Sequence, residues 1–163
     1  MAIFGKQFTK TFHLEANLKT TTSQYRAVSF VPGTSTVLDR TVGLCGNTGT
    51  AGSPTAASWH AIGINQSYLS ATSEEADICL FGLSKVICAE SVTAGDWIKA
   101  YDGISTTTMA GKISPMPNGL SATMATQSIA SHSVVLGRAL EDGTTNTVIE
   151  AFINPQKWDS NFK

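Results

Sequence analysis

Charged side chains are scarce in this sequence. Asp, Glu, Lys and Arg make up 14% of its 163 residues, against about 25% in an average globular domain. The eleven basic and twelve acidic residues nearly cancel, which gives no basic stripe for nucleic acid and no cationic surface for an anionic membrane. A run of 18 apolar residues is also absent, so no helix is expected to span a membrane. We therefore expect neither nucleic acid nor a membrane among the partners.

Cysteine is also rare, with Cys45, Cys79 and Cys88 present and no C-x-x-C pair. The first residues contain no apolar stretch long enough for a signal peptide. The sequence therefore predicts synthesis in a cytoplasm and three buried, reduced thiols. A disulfide between Cys79 and Cys88, which fall on neighbouring predicted strands, is the less favoured alternative.

Residue patterns typical of enzymes are missing too. The three histidines, His13, His60 and His132, are far apart and fit no metal-binding spacing. No G-x-S-x-G motif marks a nucleophilic serine. Paired carboxylates at 74–75 and 141–142 fall in predicted surface turns rather than in a cleft. We therefore expect a protein that is not an enzyme and that holds no cofactor and no metal ion.

Short apolar segments bounded by glycine predict an all-β fold. In the stretch 76–103 we predict strands at 77–81 and 83–89 separated by Gly82, a turn at 93–96 and a strand at 97–101. Further strands are predicted at 24–31, 59–65, 133–140 and 147–153, with a weaker one within 35–44. Such spacing favours a small antiparallel β-barrel or sandwich. We expect one domain over residues 23–163, with long surface loops of which 104–133 is the longest.

Some local features give sharper expectations. Gly63, inside a predicted strand, indicates a bulge or a close backbone approach. In the loop 104–133 only residues 109–113 have the composition of a strand. The segment 141–143 is predicted to be a hairpin turn, and Asn154-Pro155 is predicted to end the sheet.

The first twenty residues alternate between apolar and polar with a period of two, from Phe12 to Leu18. The segment is too apolar for a free disordered tail, so it must lie against something. Two interpretations remain open. Either it is an ordinary first strand of the barrel, or residues 1–22 form an extended arm that pairs with another subunit or a partner.

A series of short motifs resembles a known family. In chain order they are A-I-G-I at 61–64, D-I-C-L-F-G at 77–82, T-A-G-D at 93–96, Y-D-G at 101–103 and V-L-G-R-A-L at 135–140. This order resembles the small β-barrel capsid decoration (cement) proteins of tailed bacteriophages, over roughly residues 23–153. The loop 104–133 and the apolar segment before Thr20 depart from the family pattern.

The resemblance implies a structural virion protein, made in the bacterial cytoplasm, that sits on the outer surface of a phage head. There it would bind the major capsid protein, as a homotrimer, and bridge neighbouring capsomers to stabilise the capsid. Contacts with the shell or with a neighbouring subunit are then expected from the arm, through Lys6, Phe8, Lys10, Phe12, Leu14 and Leu18. No chemistry is needed for such a role.

A second function class remains open. The loop 104–133 is long, rich in Ser, Thr and Met, and poor in charge, which suits an adaptable contact. In that alternative the protein is a binding module on the head surface, and the loop recognises a host-surface or glycan ligand. An enzyme ranks behind both.

Overall fold

The computed structural model describes residues 7–14, 18–30, 41–45, 61–101, 108–116 and 134–157. Within these ranges the chain forms nine β-strands, a short 3-10 turn at Thr21–Ser23 and no α-helix. The strands are β1 (Phe8–Leu14), β2 (Ala27–Phe30), β3 (Thr41–Leu44), β4 (Ala61–Asn65), β5 (Glu75–Ile87), β6 (Trp97–Ala100), β7 (Ile113–Pro115), β8 (Val134–Ala139) and β9 (Val148–Lys157). The prediction of an all-β barrel is confirmed.

The first five strands close into a barrel. Strand β1 pairs in parallel with β3 and antiparallel with β5, while β3, β2, β4 and β5 follow one another antiparallel. The ring β1-β3-β2-β4-β5 therefore returns to β1 and leaves none of these strands at an open edge. Closure of this kind satisfies the backbone groups of short strands that would otherwise attract another chain.

Strand β1 belongs to this barrel and does not leave it as an arm. Its backbone pairs with β5 from Phe8↔Phe81 to His13↔Glu75, and with β3 at His13 and Leu14. The alternation predicted a strand with one buried side, and that side is covered by the barrel of this same chain. Of the two interpretations of this segment, the first strand of the barrel is the one that the structure shows for Phe8–Leu14.

Strand β5 is shared by two sheets. Before Gly82 it pairs with β1 and β4, and from Gly82 to Ile87 it pairs with β9 instead. The sequence correctly marked Gly82 as an interruption, but the structure shows one strand of 13 residues rather than two. Gly82 has φ 110°, a conformation that a residue with a Cβ rarely adopts, and the strand changes partners at this point.

The second sheet continues β5-β9-β8-β6-β7 and is antiparallel throughout. A bridge between Cys88 and Ile113 brings β7 back to the end of β5. The structure thus has two cores. One fills the barrel, and the other joins side chains of β2, β4 and β5 to those of the second sheet. The second sheet therefore packs against the outside of the barrel.

Gly63 shows both features predicted for it, a bulge and a close backbone approach. The pairing of β2 with β4 shifts register between Val28 and Ser29, opposite Gly63, which is a bulge. A Cβ on Gly63 would lie 2.3 Å from the Cys79 carbonyl oxygen. The small residue thus allows β4 to approach β5 closely.

Other boundaries differ from the predictions. Strand β9 runs through Pro155 to Lys157, because the missing N–H of the proline falls where the β8–β9 register shifts and no ladder bond is lost. Strand β7 begins at Ile113, where the predicted strand 109–113 ends. The connection between β8 and β9 extends over residues 140–147, longer than the predicted turn at 141–143, and its Gly143 pairs with Val92.

Part of the expected surface loop 104–133 is built into the second sheet. Residues 111–114 are buried, and β7 pairs with β6 at Ile98↔Pro115 and Ala100↔Ile113. The remaining parts of that loop, residues 104–107 and 117–133, lie outside the described residues, as do Trp59, His60 and His132.

Candidate interaction surface

The residues predicted to contact a partner are divided by the structure. Phe12, Leu14 and Leu18 are at most 8% exposed and pack in the barrel core, so their side chains face this chain and not a neighbour. Phe8 and Lys10 are exposed near the start of β1. Lys6 lies outside the described residues. A contact with the shell or with another subunit through Phe8 and Lys10 stays a prediction.

Most exposed large apolar side chains of the described residues lie together on the outward side of the second sheet. These five, 37–46% exposed, are Phe81, Trp97, Leu140, Val148 and Phe152. We call them the apolar face. Outside the apolar face, the described residues expose Phe8, Phe30 and Tyr68. A contiguous group of exposed apolar side chains is typical of a contact surface, whereas single exposed apolar residues occur on any protein exterior.

Strand register brings the apolar face together. Phe152 of β9 is paired with Leu83 of β5 on one side and with Arg138 of β8 on the other, and Arg138 is paired with Trp97 of β6. Paired residues of neighbouring strands point to the same side of a sheet. Phe8 extends the row at its margin, because it is paired with Phe81.

The aromatic rings of the apolar face touch edge to face. The Phe81 and Phe152 ring centroids are 5.2 Å apart with the ring planes at 81°, the arrangement that aromatic quadrupoles favour. The two rings therefore do not form one continuous flat surface. Their shape suits interlocking with other apolar side chains.

Two of the motifs noted in the sequence meet beside the apolar face. In the T-A-G-D turn, the Gly95 amide donates to the Ala139 carbonyl (2.8 Å), and the Ala139 amide donates to the Asp96 carbonyl (2.9 Å). Arg138 Nε donates to the Gly95 carbonyl (2.9 Å), and its guanidinium carbon lies 5.0 Å from the centroid of the Trp97 ring. The turn at 93–96 and the L-G-R-A-L strand are thus one unit that holds Trp97 in place.

Two opposite charges stand among the apolar side chains. Lys85 of β5 and Glu150 of β9 are paired residues on the outward side of the second sheet, and both are exposed. The ion pair that the structure records among the described residues is His13–Glu75, so Lys85 and Glu150 form none with each other. Lys85 Nζ instead lies 6.0 Å from the centroid of the Tyr25 ring.

Two buried cations tie residues 108–112 to the rest of the fold. Arg26 Nη1 donates to the Thr108 and Ala110 carbonyls, at 3.2 and 2.7 Å, while its buried Nε has no hydrogen-bond partner. Lys112 Nζ donates to Asn146 Oδ1 and lies 3.5 Å from Met109 Sδ. Burial lowers the pKa of Arg26, and burial followed by the charge of Arg26 lowers the pKa of Lys112. These contacts anchor a turn and bring no reactive group to an open site.

The three cysteines are free and buried, as predicted. Burial raises the pKa of each thiol, that of Cys45 to about 12 despite a hydrogen bond with Ser29. At neutral pH such thiols are protonated and poor nucleophiles. Within the described ranges no three His, Cys, Asp or Glu side chains come together as a metal site would require.

Alkaline pH is expected to destabilise the fold through Cys45. An unfolded thiol releases its proton near pH 9, whereas the folded state holds it to about pH 12, so the stability that Cys45 contributes is full below pH 9 and is lost between pH 9 and 12. The loss amounts to up to about 4 kcal/mol at about 1.4 kcal/mol per pH unit. Urea unfolding of wild type and Cys45→Ala at several pH values measures it. A Cys45→Ala protein that declines as steeply as wild type would contradict this assignment.

Sequence reasoning missed the apolar face. In β9 the segment 148–153 is V-I-E-A-F-I, apolar on both sides of the strand, so its composition could not show which side is covered. The structure buries Ile149, Ala151 and Ile153 and exposes the alternate residues. The one available signal was Glu150, which marks the side of β9 that faces solvent.

Comparisons with known proteins place few limits on the chain. No protein-family model matches it, and no curated protein matches it. The described part of the chain contains no helix with the length and hydropathy of a membrane span. Among solved structures, it is similar to the N base of the head fibre gp8.5 of bacteriophage phi29, with a TM-score of 0.48 and 12% identity over 94% of this chain and 98% of that chain. A similarity at this level carries no argument about function.

Proposed function

We propose that the protein is a structural component of a phage virion, which binds the outside of the head and bridges neighbouring capsomers without catalysing a reaction. The observation that carries the proposal is the apolar face, because a rigid sheet with five large apolar side chains exposed is suited to contact with protein. The order of sequence motifs that resembles the capsid decoration proteins supports the same role.

Bridging requires more than one contact surface on each molecule. The described residues present two candidates, the apolar face and the exposed start of β1 with Lys10, and Phe8 lies where the two meet. Both lie on hydrogen-bonded strands, so little conformational entropy is lost when they bind. The partner proposed for the start of β1 is the major capsid protein, on the outer surface of the shell.

Binding to heads tests this function. Purified protein is mixed with expanded heads assembled from the major capsid protein of the same genome, and co-sedimentation is quantified. We expect saturation at a fixed number of copies per head, and at least tenfold weaker binding for Phe8→Ser combined with Lys10→Glu. Tyr68→Ser, which removes an aromatic ring that is 70% exposed on the connection between β4 and β5, serves as the control and should bind as wild type.

Each outcome has a definite meaning. If the wild-type protein does not bind heads, or if the genome encodes no head proteins, the proposed function is wrong. If wild type and the Phe8/Lys10 variant bind equally, the protein is a head protein but the start of β1 is not its contact.

A further inference from the structure

We infer that the apolar face is the contact between two copies of this chain, related by a two-fold axis. This inference goes beyond head binding and does not depend on it. It also differs from the homotrimer that the sequence resemblance implies. Its basis is the pair of opposite charges, Lys85 and Glu150, which stand side by side on the outward side of β5 and β9, with Val148 and Phe152 on either side of Glu150.

The position of the two charges makes the face complementary to itself. Lys85 and Glu150 lie side by side on neighbouring antiparallel strands. A two-fold axis in the plane of contact, running along the strands between β5 and β9, places Lys85 of each copy over Glu150 of the other. Both residues have no ion-pair partner among the described residues of their own chain, and the contact would supply one to each.

The apolar rows are matched by the same operation. Phe152 is paired with Leu83, and Val148 with Ile87, across the line between β5 and β9. Rotation about that line places Phe152 over Leu83 of the second copy and Val148 over Ile87. Two such sheets pack about 10 Å apart, with interlocking side chains, as the layers of a β-sandwich do.

The size of the face sets the strength of the contact. From strand spacings of about 4.8 Å and about 3.3 Å per residue, the face measures roughly 20 Å by 20 Å. Two copies would bury about 800 Å² in total, less than the roughly 1,200–2,000 Å² of stable specific interfaces. We therefore expect a weak dimer, with a Kd of about 1–100 µM. The net charge of −1 opposes association of two copies only slightly.

Charge reversal tests the inference in purified protein by sedimentation velocity across this concentration range. Lys85→Glu and Glu150→Lys each place like charges against one another in two positions of the dimer, so each variant alone should dimerise at least tenfold more weakly than wild type. Mixed in equal amounts, the two variants should form a heterodimer, since each acidic side chain then meets a lysine. Restoration by mixing cannot arise from repair within one chain, because each chain keeps its own like-charged pair.

Glu74→Lys, which makes the same charge change as Glu150→Lys but just before the start of β5, is the control and should dimerise as wild type. Far-UV circular dichroism of every variant checks that the β fold is retained. The inference is overturned if wild type is monomeric at all concentrations, if it forms a trimer, or if the mixture of the two variants stays monomeric.

Discussion

Replacement of Gly137 by alanine is expected to lower the free energy of unfolding by about 3 kcal/mol or more. A Cβ at this position would lie 2.0 Å from the Phe152 carbonyl oxygen and 3.0 Å from the Ile153 Cα. Both atoms belong to the backbone of β9, which is hydrogen-bonded on two sides and cannot move without breaking pairs with β5 or β8. The extra methyl group therefore separates β8 from β9 beside the apolar face.

Gly95→Ala is the matched control for this prediction. Gly95 has φ 92°, so alanine is strained there, but nothing lies within 4 Å of the added Cβ. We expect a loss of about 1 kcal/mol from backbone strain alone. Urea unfolding midpoints at an unchanged m-value measure both losses. Equal losses for the two variants would mean that the β8–β9 contact at Gly137 is not as tight as described.

Removal of residues 1–20 is expected to prevent folding, rather than to leave a soluble barrel that has lost only its contacts. The truncation deletes β1 and the buried side chains of Phe12, Leu14 and Leu18. At about 1.5–3 kcal/mol for each buried side chain, these three contribute roughly 5–9 kcal/mol, comparable with the whole stability of about 5–15 kcal/mol of a typical domain. The truncation also leaves β3 and β5 with an unpaired edge.

Point variants keep this prediction testable when the truncated chain is insoluble. Phe12→Ala should lower the free energy of unfolding by about 3–5 kcal/mol, because Phe12 is 5% exposed in the barrel core. Thr9→Ala on the same strand is exposed and should change it by less than about 0.5 kcal/mol. A truncated protein that is soluble and shows cooperative thermal unfolding would show that β1 is dispensable.

Local sequence rules located many strands, but not their partners. The alternation around Phe12 correctly indicated that one side of the strand is buried. A period of two does not show, however, whether that side is buried by the chain's own barrel or by another molecule. The sequence showed Gly82 as an interruption of the strand. It could not show that β5 pairs with β1 and β4 before Gly82 and with β9 after it, because those contacts are distant in sequence. Pro155 was expected to end a strand, but it falls at a register shift between β8 and β9, where the strand continues without its N–H.

The candidate surface was harder to predict than the fold. The predicted contact residues were chosen because they are apolar, and for Phe12, Leu14 and Leu18 that property reflects the barrel core. Trp97 and Phe152 had the same composition cues as buried strand residues. Their exposure follows only from the pairing of β9 with β5 and β8, which fixes which side of the sheet packs against the barrel.

Because β5 runs through both sheets, a load on one is transmitted to the other along a continuous backbone. Pulling along that strand would stress its ladders with β1 and β9 in shear, so many bonds must break together before either sheet peels away. Under tension, the two sheets are therefore expected to unfold together in one cooperative step.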